Sequence, residues 1–173
     1  MHAPSFLALG PLFSIFQGVT ATSPTRLVEI AGINTNNVTI WDCPSTTWPD
    51  LDQTMLQIAM NDFAYSFYTE KNIQKALDRY VASNYVQHNP DIPDGRAAAA
   101  KFLIPLFGKK GNSFEVARVM VGPEYTTIHI KAKVNGSFLN VVDIYKTKGS
   151  CIVEHWDVMQ PVQNNTVSHH PYF

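Results

Sequence analysis

The stretch that decides the fold is residues 113–160, SFEVARVMVGPEYTTIHIKAKVNGSFLNVVDIYKTKGSCIVEHWDVMQ. Apolar residues alternate in it with polar ones, and a period of two is typical of half-buried strands. Asn135-Gly136 is a strong hairpin signal between two such runs. The strands predicted from this pattern cover 114–121, 125–134, 138–147 and 151–160, with further turns at Gly122-Pro123 and Lys148-Gly149. Together they predict an antiparallel meander.

The residues before this meander follow helical spacing instead. Leu56, Met60 and Phe63 recur three and four residues apart, which predicts one apolar helix face. Two further helices follow, separated by an extended stretch over 85–93. The N-caps expected for the three helices are Asp50, Asn72 and Asp94. Helices followed by antiparallel strands indicate an α+β domain, with three helices packed on one face of a curved sheet.

Composition limits the classes of function. The chain has 173 residues, which suits one compact domain, and its 45% of hydrophobic residues excludes wholesale disorder. Lys and Arg number 13 against 14 Asp and Glu, without any run of like charge. That balance argues against binding to nucleic acid or to an anionic membrane. Two cysteines exclude a cysteine-only zinc site.

The first 21 residues predict a targeting segment. Met1–Ala21 contains no charged residue, and its apolar block over 6–16 is followed by Val-Thr-Ala. A short apolar block before a small residue is typical of a secretory signal peptide and too short for a membrane-spanning helix. We therefore expect cleavage near Ala21 and a secreted, extracellular protein that contacts no membrane afterwards. The predicted organisation is a signal peptide over 1–21, an N-terminal arm over 22–50, a domain over 51–162 and a flexible tail over 163–173.

Three tripeptides and one cysteine pair agree with export. Asn37, Asn135 and Asn164 each begin an N-glycosylation acceptor motif. Cys43 and Cys151 then predict a disulfide that ties the arm to the last strand. In a reducing compartment the two thiols would instead be unpaired and buried. Secretion and the disulfide are therefore linked expectations.

Polar residues within the strands are the candidates for chemistry. Asp143 lies in LNVVDIY, a run otherwise suited to burial, and a carboxylate that faces an apolar cavity is a usable acid or base near neutral pH. An Asp on the solvent face fits the run equally well. His155 and Asp157 share one face of the last strand. A three-residue loop between the last two strands puts Asp143 and His155 on one sheet face, whereas a two-residue turn puts them on opposite faces. Both alternatives stay open.

His129 poses the same question across the preceding hairpin. Its face of the strand also carries Lys131 and Lys133, which favours a solvated face. A metal site built from His88, His129 and His155 lacks any local ligand spacing. We therefore expect neither a metal nor a cofactor.

Three segments taken together resemble a known family. They are QHNP at 87–90 with Asp94-Gly95 after it, VVDIY at 141–145, and IVEHWDVMQP at 152–161. They are similar to SnoaL-like proteins, the polyketide-cyclase-related branch of the nuclear-transport-factor-2-like (NTF2-like) superfamily, over about residues 52–162. The resemblance implies a conical fold of three helices over a strongly curved antiparallel sheet that encloses a deep pocket. In the cyclases of that family, an Asp on a pocket strand is the acid/base of an intramolecular aldol closure, and a neighbouring His assists it.

The resemblance also implies roles for individual residues. Asp143 matches the position of the acid/base Asp, and His129 matches the assisting His. Together with the strand residues considered above, the predicted catalytic set is Asp143, His129, His155 and Asp157. In it Asp143 abstracts the proton, His129 or His155 polarises the carbonyl group, and Asp157 orients His155. The predicted substrate-binding set is His88, Trp156 and Tyr145. The implied partner is a small apolar or polyketide-like carbonyl compound. Dimers through the sheet are frequent in the superfamily, so a homodimer is also implied.

Three hypotheses about function follow. The first is a cofactor-free acid/base enzyme, a cyclase, isomerase or lyase, that acts at a carbon next to a carbonyl group. The second is a secreted protein that binds a small apolar ligand without turnover, and the third is a dimerisation module that uses the outer sheet face. A dry pocket that holds Asp143 and at least one His favours catalysis, and an all-apolar pocket favours binding. Solvent-facing positions for both residues favour the module.

Overall fold

The computed structural model describes residues 39–173. The expected signal peptide over 1–21, the acceptor Asn37 and the arm before residue 39 lie outside the described residues. Within 39–173, no helix is both long and apolar enough to cross a membrane. The elements in chain order are α1 (Gln53–Ala64), α2 (Ile73–Tyr80), β1 (Val81–Gln87), α3 (Arg96–Gly108), β2 (Ser113–Val121), β3 (Tyr125–Val134), β4 (Ser137–Lys148) and β5 (Cys151–Pro161).

Three helices pack on one face of a five-stranded curved sheet. We call this face the inner face and the opposite face the outer face. The predicted α+β class is confirmed, and β2 to β5 pair as the expected antiparallel meander. The strand order is β1-β5-β4-β3-β2, and β1 pairs parallel to β5, so the sheet is mixed rather than purely antiparallel. β1 begins at Val81, four residues before the extended stretch expected over 85–93, because α2 passes directly into β1 and Asn84 is a weak strand former. The short strand that the sequence allowed around residues 38–41 is absent from its described residues 39–41.

Two of the three predicted helix caps differ in the structure. Asp52 rather than Asp50 caps α1, because its backbone is extended and its side chain accepts an N–H of the first turn. Asn72 caps α2 as predicted. α3 begins after Gly95, whose φ of 92° suits glycine. The side chain of Asp94 accepts a backbone N–H of β1 instead.

The end of α1 is a wide turn. Residues Tyr65–Thr69 continue the helix as one turn of π-helix. Ser66, Phe67 and Tyr68 are consequently all buried, whereas the α-helical period predicts burial of only part of such a run. The turn thereby directs Tyr68 toward the inner face of the sheet.

Three hairpin turns connect the strands of the meander, and the last two decide its register. Asn135 and Gly136 have φ values of 52° and 88°, the signs of a type I′ turn, so the predicted hairpin is confirmed. The turn between β4 and β5 consists of Gly149 and Ser150, one residue later than predicted. A Cβ on Gly149 would lie 1.9 Å from the carbonyl oxygen of Trp48, so only glycine fits there.

The described part of the arm is attached to this second turn. Cys43 and Cys151 form the predicted disulfide, with their Cα atoms 6.0 Å apart. The backbone N–H of Trp48 donates to Ser150 Oγ at 2.9 Å, and the N–H of Ser150 donates to the carbonyl oxygen of Trp48 at 3.0 Å. Covalent and hydrogen bonds therefore both connect residues 43–48 to the sheet.

The tail over 163–173 contains no helix or strand and returns to the outer face of the sheet. The ring of Phe173 stacks on His129, with centroids 5.1 Å apart. The backbone N–H of Gln163 donates to Tyr172 Oη at 3.0 Å. The flexibility expected of this tail stays a prediction.

Candidate active site

A cavity of about 270 Å³ lies between the helices and the inner face of the sheet. This volume is close to the lower end of the range for small-molecule sites. Phe102 and Met159, both about half exposed, stand at its open side. The apolar part of its wall includes Phe63, Phe67, Leu77, Leu103, Leu106, Phe107, Phe114, Ile130, Val141 and Ile152. The pocket that the sequence resemblance implied is therefore present.

Two adjacent strands bring four polar side chains to this cavity. Asp143 and Tyr145 lie on β4, and His155 and Asp157 lie on β5. In the ladder between the strands, Asp143 is opposite Asp157 and Tyr145 is opposite His155. The side chains of all four residues therefore lie on the inner face of the sheet. Asp143 is only 8% exposed, so it is the buried strand carboxylate that the sequence left undecided.

A β-bulge decides this alignment. Lys148 pairs with Cys151 and Thr147 with Ile152, but Lys146 pairs with Glu154, so Val153 is an extra residue. The turn itself has two residues, which predicted opposite faces for Asp143 and His155. The bulge adds the one-residue shift that returns them to the same face.

The carboxylate of Asp143 accepts a hydrogen bond from a tyrosine that the sequence analysis did not select. Tyr68, at the π turn, donates its hydroxyl to Asp143 Oδ2, and Tyr68 Oη lies 2.5 Å from Tyr145 Oη. The other carboxylate oxygen, Oδ1, lies 3.3 Å from His155 Nε2. Four side chains from three elements thus form one hydrogen-bonded chain, which begins at Tyr145 and ends at His155.

Burial keeps the two tyrosines of this chain protonated. It raises the pKa of Tyr68 well above its ordinary value, and the negative charge of Asp143 raises it further. The pKa of Tyr145 is also raised, first by burial and then by Asp143. Both phenols are therefore neutral hydrogen-bond donors at neutral pH. Tyr85, at the same wall, has its pKa raised to about 12, mainly by burial.

Gln87 and Asn89 hold the β5 side chains. His155 Nδ1 lies 2.9 Å from Gln87 Oε1. Asp157 Oδ2 accepts a hydrogen bond of 2.6 Å from Asn89 Nδ2. The sequence predicts that Asp157 orients His155, but in the structure Gln87 makes that contact. Both Gln87 and Asn89 belong to the QHNP segment, which was the available sequence signal for them.

His129 is not in the pocket, so its predicted partnership with Asp143 is wrong. Ile128, not His129, is opposite Asp143 in the ladder between β3 and β4, so His129 points from the outer face. Its Nε2 lies 2.6 Å from Asn140 Oδ1. The lysines on the same face of β3 had favoured this position.

His88 and Trp156 also lie away from the pocket, contrary to their predicted role in substrate binding. Trp156 is opposite Ile144 on the outer face, because the bulge assigns the inner face to its neighbours. The His88 ring stacks on Trp156 with centroids 4.2 Å apart, and its Nε2 lies 3.1 Å from Glu154 Oε2. Tyr145 is the one member of the predicted substrate-binding set that lines the cavity.

Three of the polar side chains in the cavity are close enough together to bind a metal ion. Asp143, His155 and Asp157 each bring one donor atom within 4.8 Å of the others. Asp143, however, uses both its oxygens toward Tyr68 and His155, and Asp157 accepts from Asn89. In the structure these three side chains therefore also take part in a hydrogen-bond network with Tyr68 and Asn89.

Comparison with known proteins relates the chain to solved structures only, since no protein-family model and no curated protein matches it. An NTF2-like protein of unknown function from Mesorhizobium loti superposes with a TM-score of 0.55 at 19% identity, over 65% of this chain and 97% of the other. A candidate ketosteroid isomerase from Kribbella flavida gives 0.54 at 11%, over 68% and 86%. TsrD from Streptomyces laurentii gives 0.52 at 17%, over 64% and 91%. The chain therefore has the NTF2-like α+β fold.

Proposed function

We propose that the protein is a cofactor-free enzyme that transfers a proton at a carbon next to a carbonyl group. The observation that carries this proposal is the pairing of Asp143 with His155 and Tyr68 inside an apolar cavity. A carboxylate is costly to bury unless it is bonded or used. A pocket that holds both a carboxylate and a histidine meets the condition that favours catalysis over simple binding.

The first step is removal of the proton next to the substrate carbonyl. His155 Nε2 and Asp143 Oδ1 lie 3.3 Å apart, and both residues line the cavity, so a substrate bound there would lie against this pair. In this proposal the C–H bond breaks, its proton passes to the pair, and its electron pair forms an enolate. A positioned acid/base group of this kind typically accelerates the reaction about 10²–10⁴-fold.

The second requirement is stabilisation of the enolate oxygen. Tyr68 and Tyr145 are neutral donors at the cavity wall, because burial raises the pKa of both phenols. Each phenol has one hydrogen, which Tyr68 donates to Asp143 and Tyr145 donates to Tyr68 in the resting site. In this proposal a bound substrate turns one of these hydroxyls from its present acceptor to the enolate oxygen, where a donor in an apolar site stabilises developing negative charge. The enolate then takes a proton at another carbon in an isomerase, attacks a second carbonyl in an aldol cyclase, or expels a leaving group in a lyase.

The substrate class follows from the cavity wall. Phe63, Phe67, Phe107 and Tyr85 are aromatic residues in the wall of a space of about 270 Å³. Such a wall favours a small, flat, apolar carbonyl compound, including one of polyketide type. The candidate ketosteroid isomerase among the proteins of like fold agrees with this class of chemistry.

A second candidate function is binding of an apolar ligand without turnover. The wall of the cavity is mostly apolar, and its polar groups already satisfy one another. The test is hydrogen–deuterium exchange at the α-carbon of β-keto compounds in deuterated water, because exchange reports the proposed first step whatever the final product. Exchange that depends on Asp143 favours the enzyme, and tight uptake of an apolar dye without exchange favours the binder.

We also propose that the protein is exported. The disulfide between Cys43 and Cys151 supports an oxidising compartment. Asn135 and Asn164 are exposed, as glycan acceptors require. A homodimer through the outer sheet face, where Val158 is 63% exposed, is a further proposal, and the molar mass of the purified protein in solution tests it.

A further inference from the structure

One hydrogen bond fixes which atom of Gln87 faces His155. The backbone N–H of Asn89 lies 3.0 Å from one terminal atom of the Gln87 amide. A backbone N–H only donates, so this terminal atom is the carbonyl oxygen, Oε1. The other terminal atom, Nε2, donates to Tyr85 Oη at 3.0 Å. Both ends of the amide are therefore assigned by their partners.

The orientation of Gln87 fixes in turn the proton on His155. Gln87 Oε1 is an acceptor only, and His155 Nδ1 lies 2.9 Å from it. Nδ1 therefore carries a hydrogen. In the neutral ring Nε2 is then bare, and it faces Asp143 Oδ1 at 3.3 Å. A bare nitrogen and a carboxylate oxygen are both acceptors, so one proton lies between them, on one atom or the other.

We propose that Gln87 is the positioning residue of the site: it holds His155 as the Nδ1–H tautomer and aims Nε2 at Asp143, so that the pair shares one transferable proton. A flip of the imidazole would set a C–H against Gln87 Oε1 and remove the bond. This proposal rests on the proposed function for its catalytic consequence, but the tautomer itself is independent of any substrate.

The chain supports this arrangement from its backbone. Gln87 is the last residue of β1 and is paired with His155 in the parallel ladder to β5. The N–H of His88 donates to the carbonyl oxygen of His155 at 2.8 Å, and the Tyr145 ring stacks on the imidazole with centroids 4.7 Å apart. The titratable groups that face the imidazole are Asp143, Tyr145, Asp157 and Tyr85.

The experiment compares two variants of Gln87 by nitrogen-15 NMR of the histidine rings. Gln87→Met removes the acceptor and keeps the side-chain length. Gln87→Glu keeps an acceptor for His155 Nδ1 and for the Asn89 N–H, while Tyr85 Oη becomes the donor. Gln57→Met and Gln57→Glu, at a partly buried position of α1 that does not line the cavity, are the matched controls. Melting temperatures identify any variant that fails to fold.

The native protein should show hydrogen on His155 Nδ1 in its neutral form. Gln87→Met should lose that single tautomer, and Gln87→Glu should restore it and move the titration of the ring to higher pH, because a negative charge stabilises the imidazolium. With an active substrate, Gln87→Met should lower kcat by up to about 10⁴, the cost of a wrongly held catalytic histidine. Gln87→Glu should recover part of kcat.

Two results overturn the proposal: a native His155 with hydrogen on Nε2 and none on Nδ1, or an unchanged tautomer in a folded Gln87→Met. These results are distinct from failure of the proposed function. If the tautomer is as proposed but no β-keto compound exchanges its α-hydrogen, the positioning role of Gln87 stands and the enzyme hypothesis falls. If Asp143 proves essential but His155 does not carry its hydrogen on Nδ1, the enzyme hypothesis stands and the positioning role of Gln87 falls.

Discussion

Replacement of Asp143 by asparagine tests the proposed base with little change of shape. In the structure, Asp143 Oδ2 accepts from Tyr68, and Oδ1 faces His155 Nε2. An asparagine can accept from Tyr68 with its oxygen and donate to His155 with its nitrogen. It cannot take up a proton from a substrate. The substitution therefore removes proton transfer while the network stays satisfied.

The magnitudes follow from these contacts. Because no buried polar group loses its partner, the free energy of unfolding should change by less than about 1 kcal/mol. Turnover should fall by about 10²–10⁴, equivalent to roughly 3–5 kcal/mol in the activation barrier. Asp143→Leu should also abolish turnover, but it leaves the Tyr68 hydroxyl without this acceptor and should cost about 1–3 kcal/mol of stability. His155→Gln should cost as much activity as Asp143→Asn if His155 carries the proton, and less if it only polarises the carbonyl.

The assay is α-carbon deuterium exchange and steady-state turnover on a panel of one- and two-ring β-keto compounds, beside thermal melting of each variant. Asp78→Asn is the matched control, since Asp78 is an exposed carboxylate on α2. Full turnover by Asp143→Asn would refute the assignment of the base. Absence of exchange in the native protein, together with tight binding of an apolar dye, would refute the enzyme.

Three further predictions concern the tyrosines, the disulfide and export. The pKa values of Tyr68 and Tyr145 are raised in the folded protein, so their contribution to stability is complete below the ordinary tyrosine pKa of about 10 and is lost as the pH rises above it. Tyrosinate absorbance from this pair should therefore appear only with unfolding. Its appearance in the folded protein would contradict their burial. Loss of the bond between Cys43 and Cys151, which are 108 residues apart, should cost about 2–5 kcal/mol, measured by denaturant unfolding of Cys43→Ala/Cys151→Ala against the native protein; equal midpoints would contradict it. The native protein should begin near Thr22 and carry glycans on its exposed acceptor asparagines, and an intact mass equal to the unmodified chain would exclude both.

Most of the fold could be predicted because its signals are local. The period of two over 113–160 and the Asn135-Gly136 pair depend only on neighbouring residues, and both appear as expected. The disulfide was predicted from two cysteines and their compartment. β1 could not be predicted, since its pairing with β5 joins residues about 70 positions apart and strand propensity there is weak.

The site was predicted in part, and its errors have one physical origin. Asp143, His155, Asp157 and Tyr145 meet at the cavity as the catalytic hypothesis requires. His129 was misassigned because the face of a strand residue depends on its register, which the sequence left open. Tyr68 was missed for a related reason. Its direction is set by a π turn, and the α-helical period carries no sign of that turn.

The register of the EHWD segment shows how much chemistry depends on one residue. Without the bulge, Val153 would pair with Lys146, and the register set by Thr147 and Ile152 would turn Glu154 and Trp156 toward the cavity. With it, His155 and Asp157 face the cavity, and Trp156 stacks outside on His88. Val153 is fully buried, so the bulge is retained inside the core, where an interrupted ladder is costly. Bulges recur beside active sites because they redirect side chains, and here the bulge provides the pair on which the proposed proton transfer depends.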